Sequence, residues 1–249
     1  MNEAASQTRG LFVTGTDTGV GKTYLTALIA REASDEDIEV GVYKPVCSGI
    51  EVGPDGRTFW PDVARLSEAV GGRYPLERIC PQRFSAALAP PVAARLEGAT
   101  VDGAQLRAAA RWWRGQVDLL LIEGVGGLLC PLTETTTVAD LALDLGYPLL
   151  IVARLGLGTI NHTLLTAEIA RARGLAVAGV VLNDVEGRSD DVSRDTNPVE
   201  LTARCPFPIL AVAAHRQQSP IERWSESGLS RGREPIRINW LELAGTTSD

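Results

Sequence analysis

Six short apolar runs recur along the chain, at residues 11–14 (LFVT), 40–44 (VGVYK), 118–123 (DLLLIE), 148–153 (PLLIVA), 177–183 (VAGVVLN) and 208–212 (PILAV). Each is nearly continuous in apolar character rather than alternating, the pattern of a strand covered on both faces. Between them lie stretches with helical spacing, at 22–33, 62–70, 103–114, 138–145, 160–173 and 198–204. Strand and helix in alternation predict an α/β chain with a mostly parallel sheet and helices on both faces. A single domain is expected, with its core over about 10–215 and a polar C-terminal tail at 216–249. The polar, turn-rich stretch 185–197 (VEGRSDDVSRDTN) reads as a mobile loop, and the apolar patch at 236–243 as either an added helix or a partly disordered segment. No internal repeat or low-complexity tract interrupts this order.

Composition narrows the class. The 249 residues are 45% hydrophobic and 22% charged, ordinary for one globular unit. The formal net charge of −7 argues against a protein that grips nucleic acid or an anionic membrane, since both need a basic face. The N-terminus, MNEAASQTRG, is polar, and no apolar run reaches the length a membrane helix needs, so a cytoplasmic protein is expected. Cys47, Cys80, Cys130 and Cys205 are scattered, without Cys-x-x-Cys spacing, and read as free thiols in a reducing compartment. Of the 24 Lys and Arg residues only two are lysines, Lys22 and Lys44. A position that keeps Lys in an Arg-rich chain suggests a need for a compact ammonium rather than a planar fork.

Lys22 falls in the strongest motif. After the first apolar run comes Gly15-Thr-Asp-Thr-Gly-Val-Gly21-Lys22-Thr23, followed by a helical pattern. Strand, Gly-rich turn, Lys-Thr and helix in that order form a phosphate loop, predicting a single-domain P-loop NTPase fold. Backbone N–H groups of the turn cradle phosphate, the helix N-terminus adds its positive end, Lys22 reaches the β and γ phosphates, and the Thr23 hydroxyl takes a Mg2+ position. The common Gly-x-x-x-x-Gly-Lys-Ser/Thr pattern is missed by one residue, because its first glycine would stand at Thr16 and Gly15 comes one earlier.

A nucleotide-bound metal needs a second protein ligand. Glu123 ends its apolar run and leads into Gly124-Val125-Gly126-Gly127, which sets a carboxylate at the carboxyl end of a buried strand, where such sheets bind ligands. Asp62, after Trp60-Pro61, opens a helix; by spacing alone it is as readily a helix N-terminal carboxylate as a metal ligand.

Taken together, Gly15 to Thr23, Lys44-Pro-Val-x-Ser48-Gly, Glu123-Gly-x-Gly-Gly, Leu157-Gly-Thr-Ile-Asn161-His162 and Asn183-Asp184 resemble, in order, the motifs of the dethiobiotin synthetase family. The likeness runs from about residue 11 to 212. It implies an ATP-dependent cyclo-ligase of biotin biosynthesis. CO2 adds to one amine of 7,8-diaminopelargonate, the carbamate takes the γ-phosphoryl group of ATP, and the second amine closes the ureido ring and expels phosphate. Lys44, Lys22 and Thr18 would then be catalytic, with Lys44 stabilising the carbamate. Ser48 and Thr18 would meet the substrate. The nucleotide would lie on Gly19, Val20, Gly21, Lys22, Thr23 and Tyr24 of the loop, against Asp62, Glu123, Gly124, Val125 and Gly126, with Asn183 and Asp184 at the adenine end. Thr23, Asp62 and Glu123 would hold Mg2+. The resemblance further implies a homodimer in which Gly158, Thr159 and Asn161 of one subunit hold the substrate carboxylate of the other. Gly19 stands where some members carry Glu, and 210–215 reads LAVAAH without the family's Gly and Pro.

Alternatives remain at this point. A partition-type ATPase switch would carry an extra lysine early in the loop, where 15–19 has none. A cobyrinate-type amidoligase would add a glutamine-hydrolysing domain. A degenerate nucleotide-binding module would keep the loop without the chemistry. His162 and His215, the only histidines, are not required as nucleophiles, and His162 reads as a capping or packing residue. The synthetase reading stands or falls on the Lys44 amine facing the crevice beside the 15–23 turn.

Overall fold

The computed structural model describes residues 7–187, 190–217, 221–225 and 237–246. The chain runs through β1 (Arg9–Gly15), α1 (Lys22–Asp35), β2 (Val40–Tyr43), β3 (Val46–Ser48), β4 (Glu51–Val52), β5 (Thr58–Phe59), α2 (Pro61–Ala69), α3 (Leu76–Ile79), β6 (Gln82–Phe84) and α4 (Pro90–Leu96). It continues through α5 (Gly103–Trp112), β7 (Leu119–Gly127), α6 (Val138–Leu145), β8 (Leu149–Arg154), α7 (Thr159–Ala172), β9 (Val177–Asn183), α8 (Ser193–Arg204), β10 (Ile209–Ala213) and α9 (Trp240–Leu243). The six apolar runs form one parallel sheet in the order β10-β9-β8-β1-β7-β2.

Central β1 shows why the runs are continuous. Leu11 and Val13 enter one core with Leu25 and Ile29 of α1 and Leu66 of α2. Phe12 enters the other with Leu106 of α5, Leu141 of α6 and Ala170 of α7. All three β1 side chains are fully buried, so neither face tolerates a polar alternation. Between β2 and α5 the chain adds two small sheets, β3 paired parallel with β6 and β4 antiparallel with β5. Helix α4 begins with Pro90 and Pro91, a pair that reads as a turn but is tolerated where the first N–H groups have no helical partner.

Two expectations change. The stretch 185–197 is helical from Ser193 onward, and α8 runs through Pro198 rather than starting there. Asp191 Oδ1 accepts from Ser193 N at 3.0 Å and Oγ at 2.6 Å, so polar residues that suggested a loop start a helix; residues 188 and 189 lie outside the described residues. The tail, expected to be polar, contributes several of its described residues to the core. Ile221, Ile238 and Trp240 are buried beside α1. Ile221 N donates to Glu32 Oε1 at 2.5 Å and Trp240 Nε1 to Glu32 Oε2 at 2.8 Å. Gly10 N donates to Gly245 O at 2.8 Å, setting the chain end against β1. Of the patch 236–243, residues 240–243 form α9, and residue 236 lies outside the described residues, as do 1–6 at the N-terminus. No helix of the described residues is long and apolar enough to cross a membrane.

Candidate active site

The turn after β1 is shaped by its glycines. Gly19 and Gly21 have φ of 74° and 93°, a left-handed backbone that side chains resist. A Cβ on Gly21 would also lie 2.0 Å from Asn183 Nδ2, which donates to Val20 O at 2.9 Å and braces the turn from the end of β9. The Lys22 amine folds back across the turn and donates to Asp17 O at 2.9 Å. A Cβ on Gly15 would stand 3.0 Å from that amine. The same Cβ would meet Asp17 O at 2.8 Å and Val20 Cγ2 at 2.9 Å, so a glycine at position 15 lets the turn fold back closely over the strand end.

Sheet register brings the remaining groups to this turn. Val13 pairs with Glu123 across β1 and β7, and Tyr43 pairs with Ile122 across β2 and β7. Lys44, the next residue after β2, consequently emerges beside Glu123. Its Nζ donates to Glu123 Oε1 at 2.5 Å and pairs with Asp62 Oδ2 at 3.0 Å. The Thr23 hydroxyl donates to the same Glu123 oxygen at 2.7 Å. Lys44 and Glu123 are both buried. Burial alone would push the Lys44 amine down, but Glu123 and Asp62 outweigh it and hold Lys44 above its ordinary value. Burial would likewise raise Asp62, yet Lys44 holds its carboxyl below the usual range. Lys22 is lowered by burial, which Glu123 only partly opposes.

These groups surround a cavity of about 590 Å³. Thr18, Gly19, Gly21, Lys22, Thr23 and Tyr24 line it from the turn. Lys44, Ser48 and Asp62 line it from the β2 side, and Glu123, Val125 and Gly126 from β7. The Ser48 hydroxyl donates to Leu88 O at 2.6 Å, and residues 87–89 form a wall that no motif announced. Cys130 and Arg65 line the cavity as well. The one sequence signal for Arg65 was its place three residues after Asp62 on a helix, which puts both on one face. All four cysteines are free thiols, Cys47 and Cys80 buried, Cys130 and Cys205 half-buried.

Several expected contacts lie outside the cavity. Val20 and Gly124 are buried behind it. Asn183 braces the turn, and Asp184 accepts from Gly187 N at 2.9 Å and pairs with Arg194. Gly158 and Asn161 are exposed at the start of α7, while the Thr159 hydroxyl turns inward, 3.3 Å from that of Thr163. His162 is exposed on α7, and the His215 ring lies 3.2 Å from Asp184 O.

Among the described residues no three His, Cys, Asp or Glu side chains cluster. Thr23, Asp62 and Glu123 instead offer two carboxylates and a hydroxyl, all hard oxygens, at the phosphate turn. Glu123 Oε2 is buried without a hydrogen-bond partner, an acceptor that a cation would satisfy. So sparse a set suits Mg2+, which keeps water and phosphate oxygens as its other ligands.

A family model described as an AAA domain matches residues 9–219. The chain is 49% identical over 205 residues to the ATP-dependent dethiobiotin synthetase BioD of Anaeromyxobacter dehalogenans (strain 2CP-C), covering 81% of this chain and 89% of that protein. It is 40% identical over 205 residues to the protein of the same name from Bacillus subtilis (strain 168), covering 82% and 86%. Among solved structures, the septum site-determining protein MinD complexed with Mg-ADP from Pyrococcus horikoshii OT3 matches with a TM-score of 0.51 at 18% identity, over 83% of this chain and 81% of that one. That last likeness is one of fold alone. With the phosphate turn, the paired carboxylates and Lys44 in one crevice, and identity of this extent over four fifths of its length, the chain belongs to the ATP-dependent dethiobiotin synthetase family.

Proposed function

We infer that the chain is an ATP-dependent dethiobiotin synthase, a ligase forming carbon–nitrogen bonds in biotin biosynthesis. The observation that carries the reading is the Lys44 amine, held between Asp62 and Glu123 and one carboxylate away from the Thr23 hydroxyl. A carbamate and a γ-phosphate repel each other as anions. Lys44 on one side and Lys22 on the other place an ammonium beside each, so that the two anions meet in line without passing through water.

In this reading an amine of 7,8-diaminopelargonate attacks CO2 and loses a proton, giving a carbamate stabilised by Lys44. The carbamate oxygen then attacks the γ-phosphorus of ATP, and ADP leaves. The second amine attacks the activated carbonyl carbon, closing the ureido ring as phosphate departs. Lys22 and the N–H groups at Gly19 to Thr23 hold the phosphates; Thr18 and Ser48 contact the diamine. Thr23, Asp62 and Glu123 would hold Mg2+, which supplies charge neutralisation at the β and γ oxygens. The nucleotide's base end would lie beyond Tyr24, towards Asn183 and Asp184.

Gly158, Thr159 and Asn161 would serve a second copy of the chain. Their absence from the lining of this cavity within one subunit supports that assignment, as does exposed apolar surface beside them at Leu157 (91% exposed) and Leu165 (58%). A homodimer working in the cytoplasm completes the proposal.

The decisive measurement is turnover of ATP with 7,8-diaminopelargonate and bicarbonate, following dethiobiotin by mass. Phosphate release is expected only when the diamine is present, and EDTA should abolish it. Release that ignores the diamine would make the chain an ATPase switch, and no release at all a nucleotide-binding module.

A further inference from the structure

The charge inside the cavity is more evenly balanced than its ligands require. Lys22 and Lys44 are matched by Asp62 and Glu123, so the formal charges of these four lining residues cancel. ATP and a carbamate bring several negative charges, of which one divalent ion removes only two. A further cation lines the same cavity. Arg65 lies one turn after Asp62 on α2 and is exposed at the cavity mouth. Asp62, the carboxylate nearest to it in sequence, is taken by Lys44 at 3.0 Å. Arg83, Arg95 and Arg107 all sit in ion pairs, whereas Arg65 has none among the described residues. Tyr24, whose phenol is raised chiefly by burial and lowered by Arg31 and then Arg65, follows Thr23 in the first turn of α1. Arg65 and the phosphate turn thus line one cavity.

We propose that Arg65 is a nucleotide-binding residue, reaching from α2 to the polyphosphate chain as the third cation of the site. The inference deepens the synthetase reading and rests on it for the identity of the nucleotide. A guanidinium in that lining can bind phosphate oxygens through paired N–H groups, a fork that neither lysine of the site offers. Arg65 takes no part in the chemistry, since Lys44 lies nearer the reacting end.

The test compares wild type, R65A and R65K by calorimetric titration with ATP, ADP and AMP, and by displacement of a fluorescent ATP analogue with inorganic tripolyphosphate. Arg65 is exposed, so both variants should fold, which a melting curve checks. Loss of a charged hydrogen bond predicts ATP, ADP and tripolyphosphate binding about tenfold weaker in R65A, with R65K between. AMP should change by less than about twofold, and the loss in kcat/KM for ATP should fall mainly on the KM for ATP, the signature of a binding contact shared by ground and transition states. The gap between wild type and R65A should narrow as salt rises, because the contact is solvent-accessible. Equal ATP affinity in R65A would overturn the assignment. So would an equal loss for AMP, which would move the contact to the nucleoside, or a loss confined to the KM of the diamine. Wild type that binds no ATP would sink the synthetase reading as well, whereas failure of the R65A arm alone leaves that reading intact.

Discussion

Lysine occurs twice in a chain whose other fixed cations are arginines, and both amines come to one cavity. The two meet different surroundings. Lys22 bonds a backbone carbonyl, while Lys44 is wedged between two carboxylates. An arginine in the second place would spread its charge over a fork and need more volume than a buried seat beside Glu123 offers. Lys44→Arg should therefore lower kcat by about a hundredfold or more, the usual loss when one aligned charge at a reacting centre is misplaced. Its ATP affinity should stay within about threefold of wild type, because Lys22 and the turn hold the nucleotide. Steady-state kinetics and calorimetric titration check both halves, and full activity in this variant removes Lys44 from the mechanism. Much of this was legible in sequence: Lys22 and Thr23 by motif, Glu123 by its place at the end of an apolar run, although β7 itself continues to Gly127. Asp62 was not, because one carboxylate after a proline looks the same whether it caps a helix or binds a metal. Only the packing of α2 beside α1 sets the Asp62 carboxylate 3.0 Å from the Lys44 amine in the cavity, and it also brings Arg65 there.

Helix α6 shows a device at the scale of the element. Asp140, three residues after Thr137, accepts from Thr137 N and Oγ1, both at 2.7 Å, through Oδ2, and from Arg173 at 2.9 Å through Oδ1. The Thr137 backbone bond above all, then its hydroxyl, holds the Asp140 carboxyl below its usual value. A carboxyl lowered on folding adds stability above its unfolded pKa, near pH 4, and loses it as pH falls through the folded value. Asp140→Asn should cost about 1 kcal/mol at pH 7, or about 2–4 °C in Tm. Wild-type and variant melting curves should converge as pH falls through the folded value, and a gap that persists once the carboxyl is protonated removes the ionised cap as the cause. Elements of this kind were readable where periodicity and caps agree, as at α6, whose predicted bounds match those observed. Others were hidden by local chemistry that misleads: two prolines at the start of α4, a proline inside α8, and strands of two or three residues too short to carry a period.

For the whole molecule, the expected unit is two chains. Gly158 and Asn161 stand at an exposed helix start and are not part of the cavity lining of their own subunit, next to Leu157 and Leu165. Leu165→Glu should place a charge in the interface, convert a dimer to a monomer in sedimentation velocity, and lower activity more than ATP affinity, since the diamine site would lose its second wall. A fully active monomer would confine the site to one chain. The parallel sheet itself was legible because both its faces are dry. The inward packing of the tail was not, since Ile221 stands alone among charged residues and the apolar patch at 236–243 is too short to carry a periodic signal.

That packing has a mechanical side. Helix α1 opens with Lys22 and Thr23 and carries Glu32 near its other end. Glu32 is fastened to Ile221 and Trp240, and the Tyr24 hydroxyl, in the first turn, donates to Gln217 O. The last stretch of polypeptide thus clamps both ends of the rod on which the phosphate-gripping residues ride. Trimming from the carboxyl end would undo those fastenings one after another, first at the far end of the rod and then beside Thr23. The injury would register as slackened capture of nucleotide long before the sheet came apart.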